Sequence, residues 1–247
     1  MIVEYEKNIG ETMSELINRF RIENKLDKNV KVAYAGRLDP LAYGKVIFLT
    51  HNDIYKKDQY CNYDKIYQCD IIEEYQTDTF DIMGLPIISN TIHKFNNIYN
   101  DIISYSFEQE YPPFSSYKVF DINGVKRSLW YCSKYNIPIT HKPIKKVKLF
   151  YAKSIGKYNI NSSDLYELIK LKINSVKVNS FRQDDILKKW NNILINNHNN
   201  KIISISKWEF KISSGGYIRY LANNMNGTCF NINRIAYLKN NDELSIK

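Results

Sequence analysis

The stretch KVAYAGRLDPLAYGKVIFLT, Lys31–Thr50, contains two apolar runs separated by a tight turn. Within this turn, Asp39 precedes a proline and lies between Gly36 and Gly44, which can adopt backbone conformations that other residues disfavour. A loop of this kind holds a carboxylate in a fixed position, so Asp39 is a candidate nucleophile or general base. An aspartate before proline is also a common turn former, and that alternative requires no chemistry.

The composition is that of a folded protein with excess positive charge. The chain has 247 residues, of which 44% are hydrophobic and 25% are charged, so it can bury a sizeable core. Its formal net charge is +9, which favours a polyanionic partner such as nucleic acid. The alternative is a basic protein without such a partner, because the many Asn, Ile, Lys and Tyr residues are typical of an AT-rich genome.

The sequence carries no membrane, export or metal signature. No run reaches the ~18 apolar residues of a membrane span, and the N-terminal residues lack the apolar stretch of a signal peptide. We therefore expect an intracellular protein that is not secreted, whether in cytoplasm, nucleus, an organelle or a virus-infected host cell. Four widely spaced cysteines and four scattered histidines lack the spacing of zinc ligands, so we expect free thiols and no metal.

Apolar periodicity predicts alternating helices and strands. A capping box at Thr12–Glu15 begins a helix over about 12–24. Further helices are predicted after Asn90, near 125–135, around Ile186–Leu194 and from Tyr217. Strands are predicted at Val46–Leu49, 64–75, near 145–154 and at 204–212, with 76–84 turn-like and 109–124 extended. Strands separated by helices indicate an α+β fold with a mixed sheet.

Two further residues are candidates for chemistry. Arg219 follows Gly215-Gly216 at the start of a predicted helix, where it can pair with a carboxylate or phosphate, although it can also be an ordinary surface arginine. Tyr67 lies on a predicted strand and can stack on a base, although a strand aromatic more commonly belongs to the core. The chain contains no GxGxxG, GxxxxGK[ST], HExxH or GxSxG motif, so nucleotide-cofactor and hydrolase chemistry have no support.

Five segments together resemble the TruB-type tRNA pseudouridine synthases. AGRLDPLAYG, residues 35–44, is similar to the family segment that carries the nucleophilic aspartate. The other four follow in the family's order: DKIYQCDIIEEYQTDTFDIMG, QEYPPFSSYKVFDING, SSGGYIRYLANNM and INRI. The resemblance covers most of residues 5–156 and 207–236.

The resemblance implies one pseudouridine synthase catalytic domain over residues 1–247, an α+β fold with a mixed, mainly antiparallel sheet, flanking helices and a central RNA-binding cleft. It implies isomerisation of uridine to pseudouridine in RNA by base flipping, with tRNA and its T-loop uridine as the expected substrate and with no cofactor or metal. The implied catalytic residues are Asp39, Tyr67 and Arg219. The implied substrate-binding residues are Tyr34, Arg37, Lys65, Lys118, Tyr217 and Ile232.

The chain departs from the family pattern at several places. Tyr34 and Ala35 stand where the family usually has His and Thr, and Gly216 replaces a threonine. Residues 157–200 form a family-atypical insertion, expected to pack by its own short elements and to serve as an RNA-binding element or a protein-partner surface. The resemblance ends near Arg234, so no C-terminal PUA domain is expected. The alternative function is a catalytically silent RNA-binding or RNA-folding module on the same fold.

Overall fold

The computed structural model describes residues 1–88, 104–196, 201–240 and 242–244, so the helix predicted after Asn90 lies outside the described residues. The strands of these ranges are β1 Ile2–Lys7, β2 Val32–Ala35, β3 Tyr43–Thr50, β4 Asp64–Glu73, β5 Tyr75–Thr77, β6 Pro86–Ile88, β7 Tyr105–Glu110, β8 Lys118–Phe120, β9 Lys126–Ser128, β10 Ile144–Asn161, β11 Ile202–Ile212, β12 Gly227–Lys239 and β13 Asp242–Glu243. The helices are α1 Met13–Glu23, α2 Lys57–Cys61, α3 Leu129–Lys134, α4 Ser162–Ser175, α5 Gln183–Asn191 and α6 Ile218–Asn224. A 3₁₀ turn spans His51–Lys56 and a π-helical turn spans Asn192–Asn196.

One large sheet organises the described residues. Its strands run in the order β1-β3-β12-β4-β11-β10-β7, with β2 paired to β3 and β13 paired to β12. The pairing of β3 with β12 is parallel, and the other pairings of this sheet are antiparallel. The predicted α+β class with a mixed, mainly antiparallel sheet and flanking helices is therefore confirmed.

Alternating side chains give the sheet its first apolar face. On β4, Tyr67 and Cys69 are buried on the face where Phe210 and Trp208 of β11 lie opposite them. Helix α1 packs on this face through buried residues that include Phe20, and α6 packs there through residues that include Leu221. This face holds the larger core and the candidate site.

Helix α1 begins at the predicted capping box. The Thr12 hydroxyl oxygen accepts a hydrogen bond from the Glu15 backbone N–H at 3.3 Å, and the Glu15 carboxylate accepts one from the Thr12 N–H at 2.8 Å. Because two otherwise unpaired donors of the helix start are satisfied, the start of α1 is set by local sequence.

Helices α4 and α5 cover the opposite face of the sheet. Successive residues Ile71 and Ile72 of β4 belong to different apolar clusters, and Ile72 shares its cluster with Ile169 of α4 and Trp190 of α5. Strand β10 continues to Asn161, so the inserted helices begin later than the predicted start of the insertion. The helices pack against each other and also share a core with the sheet, which the expectation of packing by their own short elements did not include.

The helix predicted near 125–135 begins later than expected, because its first residues form strand β9. Asp121 accepts hydrogen bonds at 2.9 Å from the backbone N–H groups of Asn123 and Val125, and it pairs with Arg127 Nε at 2.9 Å. These contacts close the turn of the β8–β9 hairpin. The helix starts only after Ser128, whose hydroxyl oxygen accepts a hydrogen bond from the N–H of Tyr131.

Within the described ranges, no helix is long and apolar enough to cross a membrane.

Candidate active site

Asp39 lies in the loop between β2 and β3, and its side chain is one-third exposed, at 33%. The turn before it requires Gly36, whose φ is +75° and whose missing Cβ would lie 3.0 Å from the guanidinium of Arg234. The turn after it requires Gly44, where a Cβ would lie 2.4 Å from the backbone oxygen of Arg234. The two glycines that bracket Asp39 in the sequence thus allow close contact with Arg234 of β12.

Lys7 braces the same loop from below the surface. This β1 residue is 1% exposed, and its ammonium donates hydrogen bonds to Pro40 O at 2.9 Å, Ala42 O at 2.6 Å and Asn8 O at 3.0 Å. Burial lowers the pKa of Lys7 to about 8. Sequence reasoning missed this residue because nothing in its neighbours distinguishes it from a surface lysine.

Arg219, on α6, pairs with Asp39. The Arg219 side chain is 3% exposed, and its Nε lies 2.9 Å from Asp39 Oδ2, as an ion pair that is not aligned as a hydrogen bond. Its Nη1 donates a hydrogen bond to the backbone oxygen of Thr79 at 2.8 Å. The structure therefore brings together two of the three residues predicted as catalytic, from segments 180 positions apart along the chain.

A second carboxylate, Asp81, faces the same guanidinium at 3.7 Å from Nη1. Thr79 Oγ1 donates to Asp81 Oδ1 at 2.7 Å, and the Met83 N–H donates to the same atom at 3.0 Å. Burial raises the pKa of Asp81, while the Arg219 charge acts in the opposite direction. Burial acts to lower the pKa of Arg219, but Asp39 and Asp81 raise it, so the arginine stays charged.

The turn from β11 into α6 is held by Gln109, a buried residue of β7. Its side-chain Nε2 donates to Gly215 O at 2.6 Å, and its Oε1 accepts from the Tyr217 N–H at 3.1 Å. Tyr217 precedes the first residue of α6, and burial raises its pKa to about 12, with Asp39 acting in the same direction. The Gly-Gly junction thus has a fixed geometry that aims α6 and Arg219.

A cavity of about 350 Å³ lies at this point of the sheet. Its lining includes seven of the residues predicted for the site: Arg37, Asp39, Lys65, Tyr67, Tyr217, Arg219 and Ile232. The other two, Tyr34 and Lys118, line an adjoining cavity of about 710 Å³, in which Arg37 and Asp39 also take part. Asp39 therefore lies where the two cavities meet.

Residues 36–42, called here the motif loop, form the turn that carries Asp39. Arg234 contacts both this loop and Tyr67, and sequence reasoning did not place Arg234 in the site. Arg234 is 1% exposed and donates from Nη2 to Gly36 O at 2.9 Å and from Nε to Lys45 O at 2.6 Å. Its Nη1 lies 3.5 Å from the Tyr67 hydroxyl. Arg234 lies in the INRI segment, which the sequence analysis identified. The sequence did not predict that this arginine hydrogen-bonds to the backbone on both sides of Asp39.

Three of the predicted substrate-binding residues, Tyr34, Lys65 and Lys118, differ in the contacts that their side chains make within the protein. The Lys65 ammonium donates to the backbone oxygens of Cys61 and Tyr63, and burial together with the Arg234 charge lowers the pKa of Lys65 to about 7. The Tyr34 hydroxyl accepts a hydrogen bond from Arg37 Nη2 at 3.3 Å. Lys118 is exposed on β8.

The arrangement provides a carboxylate, a paired guanidinium and aromatic walls in one partly enclosed space. An aimed carboxylate can act as nucleophile or base, and Tyr67, Tyr111 and Tyr217 supply rings of the size of a base. In the part of the chain that the structure describes, no group of three or more His, Cys, Asp or Glu residues could hold a metal ion.

Curated proteins named tRNA pseudouridine synthase B match part of this chain. The protein from Mesoplasma florum is 30% identical over 172 residues, which cover 65% of this chain and 54% of the relative. The protein from Mycoplasma capricolum subsp. capricolum is 31% identical over 155 residues, covering 57% and 49% respectively. The chain spans about half the length of the curated relatives it matches. The resemblance to the TruB-type synthases is confirmed by these relatives, while no protein-family model matches the chain.

Two solved structures are similar over almost the whole chain. The crystal structure of a Cbf5-Nop10-Gar1 complex gives a TM-score of 0.46 at 9% identity, covering 96% of this chain and 48% of that chain. The structure of an H/ACA RNP bound to a substrate RNA containing 2′-deoxyuridine gives 0.42 at 10% identity, covering 94% and 46%.

Proposed function

We propose that this protein is an RNA pseudouridine synthase, which isomerises uridine to pseudouridine, with tRNA as substrate and the T-loop uridine as target. The observation that carries the proposal is the 2.9 Å ion pair of Asp39 and Arg219 in a cavity that Tyr67 also lines. Curated relatives named tRNA pseudouridine synthase B support the choice of reaction and substrate. The protein is proposed to act as one catalytic domain, with the inserted helices α4 and α5 as part of it.

The reaction rearranges bonds within one nucleotide and needs no second substrate. The bond between ribose C1′ and N1 of uracil breaks, the base turns in place, and C1′ bonds to C5 instead. The proton on C5 is lost and N1 gains one, so atoms and charge balance. In this scheme the Asp39 carboxylate either attacks the ribose or removes a proton from it, and the ion pair with Arg219 holds that carboxylate in position.

The cavity walls fit a base that has left its stack. Extruding a nucleotide costs a few kcal/mol, and stacking on an aromatic ring recovers ~1–3 kcal/mol of that. We assign this stacking to Tyr67, with Ile232 as the apolar contact to the base and Tyr217 as a further wall. Tyr34, Arg37 and Lys118 line the adjoining cavity and are assigned to RNA beyond the target nucleotide.

The net charge of +9 fits a polyphosphate substrate. Because lysine and arginine contacts release counterions from RNA, the affinity should fall steeply as salt concentration rises. We assign no cofactor to the reaction, because the isomerisation uses only groups that the cavity and the substrate contain.

The test is Asp39→Asn, assayed on a T-loop hairpin RNA. After treatment with a carbodiimide, pseudouridine is read as reverse-transcription stops, and RNA affinity is measured separately by filter binding. We expect no stops with Asp39→Asn and an affinity within about threefold of the parent, because the change removes the reactive group and keeps the shape. Asp184→Asn, an exposed aspartate in the first turn of α5, is the matched control and should retain parent activity.

Two outcomes contradict the proposal. Turnover by Asp39→Asn comparable to that of the parent would remove Asp39 from the reaction. A parent protein that retards the hairpin on a gel but yields no stops on any tRNA tested would be an RNA-binding module without turnover.

A further inference from the structure

Residues 112–135, called here the wall module, form one side of the adjoining cavity. They supply Phe114, Lys118 and Trp130 to its lining. The module consists of the β8–β9 ribbon and α3, and it is not paired with the nine-stranded sheet. Its buried apolar residues form a small cluster of their own: Val119, Leu129 and Cys132. A unit with so small a core depends on its neighbours to keep its position.

The inserted segment reaches this module through residues 176–182, the linker between α4 and α5. The Lys134 ammonium of α3 donates a hydrogen bond to the backbone oxygen of Ser180 at 3.1 Å. The rings of Trp130 and Phe181 meet edge to face, with centroids 6.1 Å apart. The linker also lines the adjoining cavity beside the module, through Ser180 and Phe181.

Arg182, at the end of the linker, joins three parts of the chain. Its Nη1 donates to Asp78 Oδ2 at 2.8 Å, and its guanidinium carbon lies 4.2 Å from the centroid of the Phe114 ring. The other oxygen of Asp78 accepts a hydrogen bond from the Leu85 N–H at 2.8 Å, which fixes the carboxylate. The same turn carries Asp81, which faces Arg219. One side chain therefore links the insertion, the wall module and the turn behind the ion pair.

The backbone of Arg182 is itself informative. Its φ is +60° and its ψ is +31°, a left-handed conformation that residues with a Cβ disfavour. Glycine would occupy this position without that cost, so the arginine lies here against a backbone preference. This is what we expect where the contacts of the side chain with Asp78 and Phe114 offset the unfavourable conformation.

We propose that Arg182 and the linker form a latch that holds the wall module against the cavity. The family-atypical insertion is then a positioning element for RNA, one that sets substrate affinity without contact with the reacting atoms. Its effect on RNA rests on the proposed function, whereas its effect on the wall module does not.

The test uses the full chain and two measurements, backbone amide hydrogen exchange and steady-state kinetics. Arg182→Gly removes the guanidinium and relieves the left-handed backbone conformation, so the net loss reflects the side-chain contacts together with the added freedom of the linker backbone. We expect exchange of the amides of residues 115–135 to rise by roughly three- to thirty-fold, the range that a partly exposed ion pair and a cation–π contact together supply. KM for the hairpin RNA should rise while kcat stays within about twofold of the parent, because a wall module that opens more often presents a complete cavity wall to RNA for less of the time.

Matched variants separate the latch from general weakening. Lys170→Ala removes a different ion pair of the insertion, the more exposed one with Glu167 on α4, and should leave exchange of the wall module unchanged. Arg182→Lys keeps the positive charge but not the planar guanidinium. Its exchange rate in the wall module should lie between those of the parent and Arg182→Gly. Adding Asp78→Asn to Arg182→Gly should have little further effect, because the two residues act through one contact.

The exchange measurement needs no substrate, so failures can be told apart. Exchange of the wall module in Arg182→Gly equal to that in Lys170→Ala overturns the latch, whatever the activity. A parent that forms no pseudouridine overturns the proposed function, and an increase in exchange in that protein still supports the latch.

Discussion

Replacing Lys7 by methionine tests how the loop that carries Asp39 is held. Lys7 is buried in β1 and donates to Pro40 O and Ala42 O, the carbonyls on either side of Leu41. Methionine has a similar length and volume but no donor. The variant therefore removes the brace while keeping the packing, and Asp39 itself is unchanged.

The expected size of the effect can be worked out from the contacts. Pro40 O also accepts a hydrogen bond from the Gly10 N–H at 3.0 Å, so Ala42 O is the acceptor that loses most. A buried acceptor left without a partner costs about 1–3 kcal/mol, and part of this is offset because the buried ammonium no longer has to be desolvated. We expect a loss of about 1–2 kcal/mol in the free energy of unfolding. Because a displacement of about 1 Å at a reacting group can cost about 100-fold in rate, kcat should fall by roughly ten- to a hundred-fold.

The assay is urea unfolding combined with pseudouridine formation on the T-loop hairpin. Lys45→Met is the control, since Lys45 lies on the neighbouring strand β3 and makes partly exposed ion pairs with Glu4 and Glu243. Such pairs contribute about 0–1 kcal/mol, so this variant should resemble the parent in rate. If Lys7→Met unfolds at the same urea concentration as Lys45→Met and turns over as fast, Lys7 does not hold the loop.

Two further predictions concern Gly36 and Lys65, which line the cavity beside Asp39. Gly36→Ala should destabilise the protein in urea unfolding by about 1 kcal/mol more than Gly124→Ala does. The two glycines have nearly the same φ, +75° and +74°, but only at Gly36 would a Cβ meet Arg234. Equal losses of stability would mean that the Arg234 side chain moves aside without cost. For Lys65, the folded pKa of about 7 lies below the unfolded value of 10.5, so the unfolded chain binds more protons between these values and this residue makes stability rise with pH there. Relative to Lys65→Met, the parent should therefore gain about 3 kcal/mol of unfolding free energy from pH 7 to pH 9.5. Parallel stability curves for the two proteins would refute the lowered pKa of Lys65.

The elements that the sequence predicted well are those whose signals are local. The start of α1 is determined by a capping box four residues long, and β11 by alternation of Trp208 and Phe210 with charged residues. The hairpin before α3 was mistaken for helix because its turn depends on Asp121, which pairs with Arg127 six positions later. A pattern of apolar spacing does not register such a contact.

The braces of the site could not be predicted, because they depend on contacts between distant residues. Lys7 and Pro40 are 33 positions apart, and Arg234 and Gly36 are 198 apart. Charged side chains are rarely buried unless they are paired, so a lone lysine or arginine in a strand is first interpreted as a surface residue. Only the strand order, with β12 between β3 and β4, brings Arg234 to the motif loop and to Tyr67.

That strand order also explains why Gly36 and Gly44 are needed on either side of Asp39. From the sequence, Gly44 was interpreted as a source of backbone freedom for the loop. In the structure it pairs with Arg234 at the parallel contact of β3 and β12, and any Cβ there would collide with the backbone of that residue. Because this close approach lets the Arg234 side chain reach back to Gly36 O, one glycine permits the contact that fixes the turn at the other. The rigidity around Asp39 therefore comes from a strand almost 200 residues away as well as from the loop itself.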